Sequence, residues 1–385
     1  MLKELSSLDI AVITAELDMI LKDSRISNIY QLNEKTLLLK LRKPNGLREN
    51  LLIQAGLELH VTNYVFKAPS KPPDFCMALR KYLRNGRIKK IQQHDFERIV
   101  ELIVESKAGE YRLIIELFGE GNIILVDPNN KILHALTYRR MKDRNIIRGE
   151  TFEYPPIRGK DPRIIRREDL DEIKKMGQIE IVRSFARILG IGGKYAEEIL
   201  MRAGVKKDTS SSALKDDELN SIYESLQELL SEISIKNESP SIFVDEEGRW
   251  LDISPIEMKK YSNLRRIKFR SFNEALDEFY AKSFAKEKVS DVEETFKQEI
   301  ARLERIFRNQ EETLKKSLRQ AETYRKIGDV IFSHLNEIQF LIKRIMDEKR
   351  SGKSWEEIIE ALMKEKKESR VPAVYFESLN PKNLS

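Results

Sequence analysis

The chain carries a single cysteine, Cys76, in 385 residues. One thiol excludes disulfides and cysteine-based zinc sites, and it suits a reducing cytoplasm. The four histidines, His60, His94, His134 and His334, fall in no metal-ligand spacing. No apolar run could span a bilayer, and the opening MLKELSSLD is not a signal peptide. There is no P-loop, no dinucleotide fingerprint and no Ser-His-Asp arrangement. With no catalytic set in view, neither an enzyme nor a cofactor is expected.

What is abundant is charge. Charged residues make up 34% of the chain, above the usual quarter, beside 41% hydrophobic residues. That balance suits long solvated helices or a heat-adapted source, with enough apolar side chains for two or three domains. The net charge of +6 is unevenly spread. Residues 67–90 hold eight Lys/Arg and one Asp, residues 139–167 hold ten basic and four acidic residues, and residues 258–270 hold six basic residues and no acid. Segregation of this kind is the footprint of a nucleic-acid binder, with basic loops that serve solubility alone as the plainer alternative.

Taken in order, Ser6–Lys22 is an amphipathic helix with Ile10, Ile13, Leu17, Ile20 and Leu21 on one face. Ser6-x-x-Asp9 fits a capping box, so capping is the structural reading of Asp9. Strands follow over Asn28–Leu32, Thr36–Arg42 and Asn50–Thr62. A helix over Asp74–Arg84 buries Phe75, Leu79, Tyr82 and Leu83, ends at Asn85-Gly86, and shows Arg80, Lys81, Arg84 and Arg87 on its exposed side and end. The stretch Gln93–Val104 reads as one strand that opens on charges. Arg98 is in phase with Val100, Leu102 and Val104, and Glu97 faces the other side. A guanidinium there needs an anion, either a carboxylate in a register-fixing ion pair or a phosphate. Arg98–Ser106, Tyr111–Phe118, Asn122–Val126 and Lys131–Tyr138 form an antiparallel set. The whole suggests an α+β sandwich of about 140 residues. A basic, irregular connector, Arg139–Arg167, holds Arg139, Arg140, Arg144 and Arg148.

Residues 168–235 are helical. Within them Ile188–Ala196 matches a helix-hairpin-helix, in which Gly190, Gly192 and Gly193 allow a tight turn before Lys194. Its backbone N–H groups can hold one nucleic-acid phosphate, or the motif can be a packing hairpin with no ligand. A β-hairpin is expected over Ser239–Ser254. From Lys286 a heptad seam runs through Val289, Val292, Phe296, Ile300, Leu303, Ile306, Leu314 and Leu318, and continues to Ile345. Such a seam needs a partner helix, so a homodimer through the coil is one expectation. A short helix, Trp355–Lys366, and a polar tail close the chain.

At this point the chain resembles the NFACT family of ribosome-associated quality-control tailing factors. The likeness rests on Ser7-Leu8-Asp9, Phe75-Cys76-Met77 with Leu79–Leu83, Phe96-Glu97-Arg98-Ile99-Val100, Gly121–Asp127, Ile146–Pro156, the Gly190–Ala196 hairpin, and Ser354-Trp355-Glu356-Glu357-Ile358. The resemblance implies an N-terminal domain (1–160) folded like that of formamidopyrimidine-DNA glycosylases. A helix-hairpin-helix domain (161–280), a coiled-coil arm with its tip (281–370) and a tail (371–385) follow. It implies a cytoplasmic, non-enzymatic factor, with no membrane association, that binds the large ribosomal subunit and its rRNA while a stalled peptidyl-tRNA remains. Such a factor recruits aminoacyl-tRNA to extend the stalled chain without mRNA. An Asp-Arg pair and a first-helix aspartate handle tRNA in the family; these carry onto Glu97, Arg98 and Asp9, with Glu97 a departure in length. The family chain normally continues with a returning helix and a second RNA-binding domain, so this piece is expected to bind ribosomes more weakly than a whole protein. DNA repair, the enzyme alternative, needs an N-terminal proline amine and commonly a cysteine zinc finger; this chain begins Met1-Leu2-Lys3. A fibronectin-binding adhesin is the third class, and the lack of a signal peptide argues against it.

Overall fold

Nine strands build the first layer pair. The computed structural model describes residues 4–157, 159–234 and 239–380, without the side chains of 234 and 283–298. Two compact units divide it, Met1–Lys288 and Val289–Ser385. In the first, β1 (Arg25–Gln31), β2 (Thr36–Arg42), β3 (Arg48–Gln54) and β4 (Glu58–Val61) form one antiparallel set. β5 (Arg87–Gln93), β6 (Ile99–Ser106), β7 (Gly109–Glu116), β8 (Asn122–Val126) and β9 (Ile132–Ala135) form the other. The sets join at one residue pair, Arg25 opposite Arg87. They therefore pack as a sandwich, and Leu39, Leu51 and Leu59 share one core with Val100, Leu102 and Leu113. Ile99, Ile114 and Ile124 point to the outer face, where Ile146 and Phe152 cover them.

Two readings of single strands are corrected here. Asn50–Thr62 is a hairpin, because Gly56 turns at φ +79° between β3 and β4. Gln93–Val104 is likewise interrupted. His94 N–H donates to Ile99 O at 2.9 Å and Glu97 N–H to His94 O at 3.0 Å, with Asp95 at φ +45°. Glu97 and Arg98 therefore sit in a turn rather than on a strand. β5 was not foreseen as a strand at all. At the turn end of the sandwich Gly56 N–H donates to Glu116 O at 2.9 Å, and Gly121 lies against it so closely that a Cβ there would sit 2.0 Å from Gly56 N.

Helix α1 (Ser7–Leu21) buries Ile10, Ile13, Leu17 and Leu21 in the sandwich, and α2 (Asp74–Leu83) buries Cys76, Leu79 and Leu83. The connector adds short strands β10 (Arg139–Arg140) and β11 (Asn145–Ile146). A second core gathers α3 (Ile181–Leu189), α4 (Gly192–Arg202) and α5 (Asp216–Ser234) around Phe185, Tyr195, Ile199 and Leu226. The expected hairpin gains a third strand, giving β12 (Ser241–Val244), β13 (Trp250–Ser254) and β14 (Arg265–Lys268). Phe243 points into the helical core while Ile242 and Val244 join the sandwich core, so the small sheet stitches the two together.

The long helix α6 (Phe272–Ser333) is rooted in the first unit by polar side chains. Glu16 Oε1 and Oε2 accept the N–H groups of Phe272 and Asn273, each at 2.8 Å, which satisfies two first-turn donors. The Asn273 amide pairs with the β4 backbone, accepting from Val61 N–H at 2.7 Å and donating to Val61 O at 2.9 Å. Buried His60 lies between Glu58 (3.3 Å) and Asp277 (3.4 Å) and stacks on Tyr280.

In the second unit the seam residues Ile300, Leu303, Leu314 and Leu318 are each more than half exposed; Val289, Val292 and Phe296 lie outside the described side chains. Helices α7 (Leu335–Arg350) and α8 (Trp355–Lys367) make a small core of Leu341, Ile345, Ile358 and Leu362. The segment read as a polar tail contributes Ala373 and Phe376 to that core, because two apolar side chains there outweigh the polar composition around them. Among the described residues no helix is long and apolar enough to cross a membrane.

Candidate nucleic-acid interface

Several of the expected site residues meet at one cleft of about 1330 Å³ in the first unit. Its walls come from the start of α1, the 94–98 turn, Pro155 and Pro156, the 190–194 hairpin and the Asp252–Tyr261 segment. Glycines permit the hairpin: Gly190 and Gly192 adopt φ +63° and +75°. The turn is backed by Gly159, where a Cβ would lie 2.6 Å from Gly190 N, and Lys160 N–H donates to Ile188 O at 2.7 Å. Gly192 and Gly193 open α4 on the cleft wall.

Asp9 lies beneath this wall, 1% exposed. Its carboxylate completes the capping box with Ser6 and also accepts from the Lys194 ammonium, 2.8 Å from both oxygens, and from Tyr195 OH at 2.6 Å. Burial, then the neighbouring Asp9 charge, pushes the Tyr195 hydroxyl well above its ordinary pKa, which keeps it a proton donor. Lys194 also donates to Ile253 O at 3.1 Å, and Ser7 Oγ to Gly190 O at 3.0 Å. Lys194, expected to face phosphate, is thus turned inward to bind the hairpin onto α1.

The turn bearing Glu97 and Arg98 is held from three sides. Gln93 Nε2 donates to Ser7 O and Glu97 O, both at 2.9 Å. Arg163 donates to Asp95 O at 2.8 Å and lies over the Phe96 ring. Leu117 N–H donates to Arg98 O at 2.8 Å. The Arg98 guanidinium, 31% exposed, pairs with Glu4 at 2.5 Å. Gln93 and Arg163 are positioning residues that sequence reasoning missed, since neither carries a motif. Across the cleft Lys260 pairs with Glu197 at 3.0 Å, and Tyr261 OH donates to Asp252. The lining holds Glu4, Asp9, Glu97, Glu197 and Asp252 against Arg98, Arg187, Lys194 and Lys260. At Arg98, Lys194 and Lys260 an incoming anion has to exchange with a carboxylate, whereas Arg187 has no described ion pair.

The remaining expected cations divide. Arg87 pairs with Asp23 at 2.6 Å and with Glu105 at 2.5 Å. Arg144 is 7% exposed, bonded to Glu116 at 2.6 Å, so the core takes up its charge and it is not a surface contact. Arg80 donates to Ile29 O at 2.6 Å and lies over Tyr30. Among the described residues Lys81, Arg84, Arg139, Arg140 and Arg148 have no carboxylate within ion-pair distance.

Residues 6–367 match the NFACT N-terminal and middle domains. The chain belongs to this family. It is 33% identical over 378 residues to the archaeal Rqc2 homolog aRqcH of Methanocaldococcus jannaschii, covering 96% of this chain and 55% of that protein. It is 26% identical over 380 residues to the human ribosome quality control complex subunit NEMF, covering 92% of this chain and 35% of that protein. The NFACT chain thus spans about half the archaeal relative and a third of the human one. Among solved structures, the fibrinogen binding protein from Staphylococcus aureus shares the fold, with a TM-score of 0.58 at 24% identity over 71% of this chain and 98% of that chain.

Proposed function

We propose that this NFACT chain acts in ribosome quality control without catalysing a reaction of its own. In this reading it engages large ribosomal subunits that carry peptidyl-tRNA and recruits aminoacyl-tRNA for mRNA-independent C-terminal tailing. The names of its archaeal and human relatives support the ribosomal setting. The observation that carries the tRNA reading is convergence: Glu97, Arg98 and the glycines of the hairpin, far apart in sequence, line one cleft over the Asp9–Lys194 bond. In this reading Arg98 trades its exposed carboxylate partner, Glu4, for a phosphate. Glu97, one methylene longer than aspartate, keeps the acidic group at the same mouth.

The test is co-sedimentation of the chain with large subunits carrying or lacking peptidyl-tRNA, and sequencing of the RNA recovered with it. Retention on loaded subunits with a few enriched tRNA species supports the reading. Arg98→Ala then weakens tRNA association without lowering the melting temperature. Recovery of genomic DNA in place of RNA would favour repair. A large stability loss with intact tRNA binding would reduce Arg98 to an ion-pair residue.

A further inference from the structure

We propose that a second nucleic-acid surface lies on α2 and its neighbours, at the far end of α1 from the cleft, and that it takes the phosphate backbone of structured RNA. The inference rests on the RNA reading above but assigns a different site. In the cleft, three of the four cations already hold carboxylates. On the α2 face the reverse holds: among the described residues Arg25, Lys40, Arg80, Lys81, Arg84 and Arg148 have no carboxylate partner within 4 Å.

These cations form one patch. Lys40 and Arg80 both lie 5.2 Å from the Tyr30 ring centre, so that ring joins β2 to α2. Lys81 lies 5.2 Å from the Tyr82 ring, which packs 6.2 Å from His134. His134 is held below its ordinary pKa by burial, then by Arg148 and Lys81, as expected of an imidazole flanked by both cations. Arg25 donates to Asn85 O just beyond α2, next to Arg84. Thus α2 carries cations along both flanks, with Arg25 and Lys40 beside it on β1 and β2 and Arg148 near His134 on the other side.

Its distance from the cleft follows from α1, whose 15 residues span about 22 Å. The helix starts on the cleft wall and ends where Asp23 N–H donates to Ile88 O and Asn85 N–H to Ile26 O. Complementing the α2 dipole accounts for Arg80 and Lys81 in its last turn. It does not account for Arg25, Lys40 or Arg148, which lie on other elements. Unpaired cations beside tyrosine rings suit a polyanion whose phosphates the ammonium and guanidinium groups neutralise.

The test uses the full chain and a labelled RNA hairpin, with binding measured across a salt series. Lys81→Gln/Arg84→Gln/Arg148→Gln removes three exposed or half-exposed charges with no described ion pair to break. It is expected to bind at least tenfold more weakly and to flatten the log–log salt slope by about 2, given roughly 0.7–0.9 per phosphate contact. Wild-type binding that the triple variant retains in full, at an unchanged melting temperature, overturns this surface and leaves the cleft reading standing. Equal wild-type retention on phosphatidylserine vesicles or polyglutamate overturns the assignment to RNA. No wild-type retention on RNA in dilute buffer overturns both readings.

Discussion

The Lys194 ammonium lies 2.8 Å from both carboxylate oxygens of Asp9, joining residues 185 positions apart. Removing one member leaves the other charge largely buried. Asp9→Ala is expected to cost about 3 kcal/mol, because it breaks the ion pair and the helix cap together. Lys194→Met is expected to cost less, since Ser6 and Tyr195 still donate to Asp9. Urea melts of the singles and the double variant check this; strictly additive losses would show that the pair is not coupled. Loss of tRNA binding in Asp9→Ala would then report the hairpin letting go of α1.

His60 predicts a stability that declines toward alkaline pH. Its pKa is raised to about 9, with Glu58 and Asp277 outweighing burial. A raised imidazole pKa stabilises fully below the unfolded value near 6.5, and that contribution is lost as pH climbs through about 9. Glu58, whose pKa burial raises, acts in the same direction, favouring the protonated folded state. Melting temperatures from pH 6 to 10 are expected to fall, by an amount equivalent to at most about 3 kcal/mol from His60. His60→Gln is expected to flatten that slope; an identical slope in the variant would exclude His60 as its source.

Gly121 has the closest backbone approach of any described glycine. It combines φ +70° with a would-be Cβ 2.0 Å from Gly56 N. Backbone lies on the other side of that contact, so nothing flexible can yield. Gly121→Ala is expected to cost at least about 2 kcal/mol. Gly46→Ala, with φ +88° and open space around it, is expected to cost about 1 kcal/mol from conformation alone. Melting both variants side by side separates collision from backbone strain, and equal losses would count against the close approach.

The seam on α6 predicts self-association. Leu303 is 56% exposed and Leu314, about three turns further along the same stripe, is 60% exposed. A stripe of this kind is buried by pairing. Sedimentation equilibrium is expected to show mass rising with concentration, and Leu303→Glu/Leu314→Glu to abolish the rise. A strict monomer at high concentration would refute pairing between copies.

Where turn residues punctuate alternating strands, as at Asp127-Pro128-Asn129-Asn130, the β7–β9 run was legible, as were α1 with its cap, the glycine hairpin and the α8 start at Ser354. β5 was not. Its buried Ile88 and Ile91 are three apart because a bulge between Ile88 and Lys90 breaks the alternation, so neither period fits. The turn before Arg98 hides for a related reason: Asp95 takes the left-handed conformation without a glycine to announce it. Site partners were the least legible part. Glu4 reaches Arg98 across 94 positions, and spacing along a chain says nothing about such a meeting.

One consequence follows from the Asn273 amide on Val61. Strand β4 pairs only with β3, so its outer rim would otherwise offer an N–H and a carbonyl to any passing extended chain. Asn273 occupies both groups at once. The arm's anchorage is therefore also a stopper against runaway strand addition. Removing that amide, as Asn273→Ala would, leaves the N–H and the carbonyl of buried Val61 without the partners that close this rim.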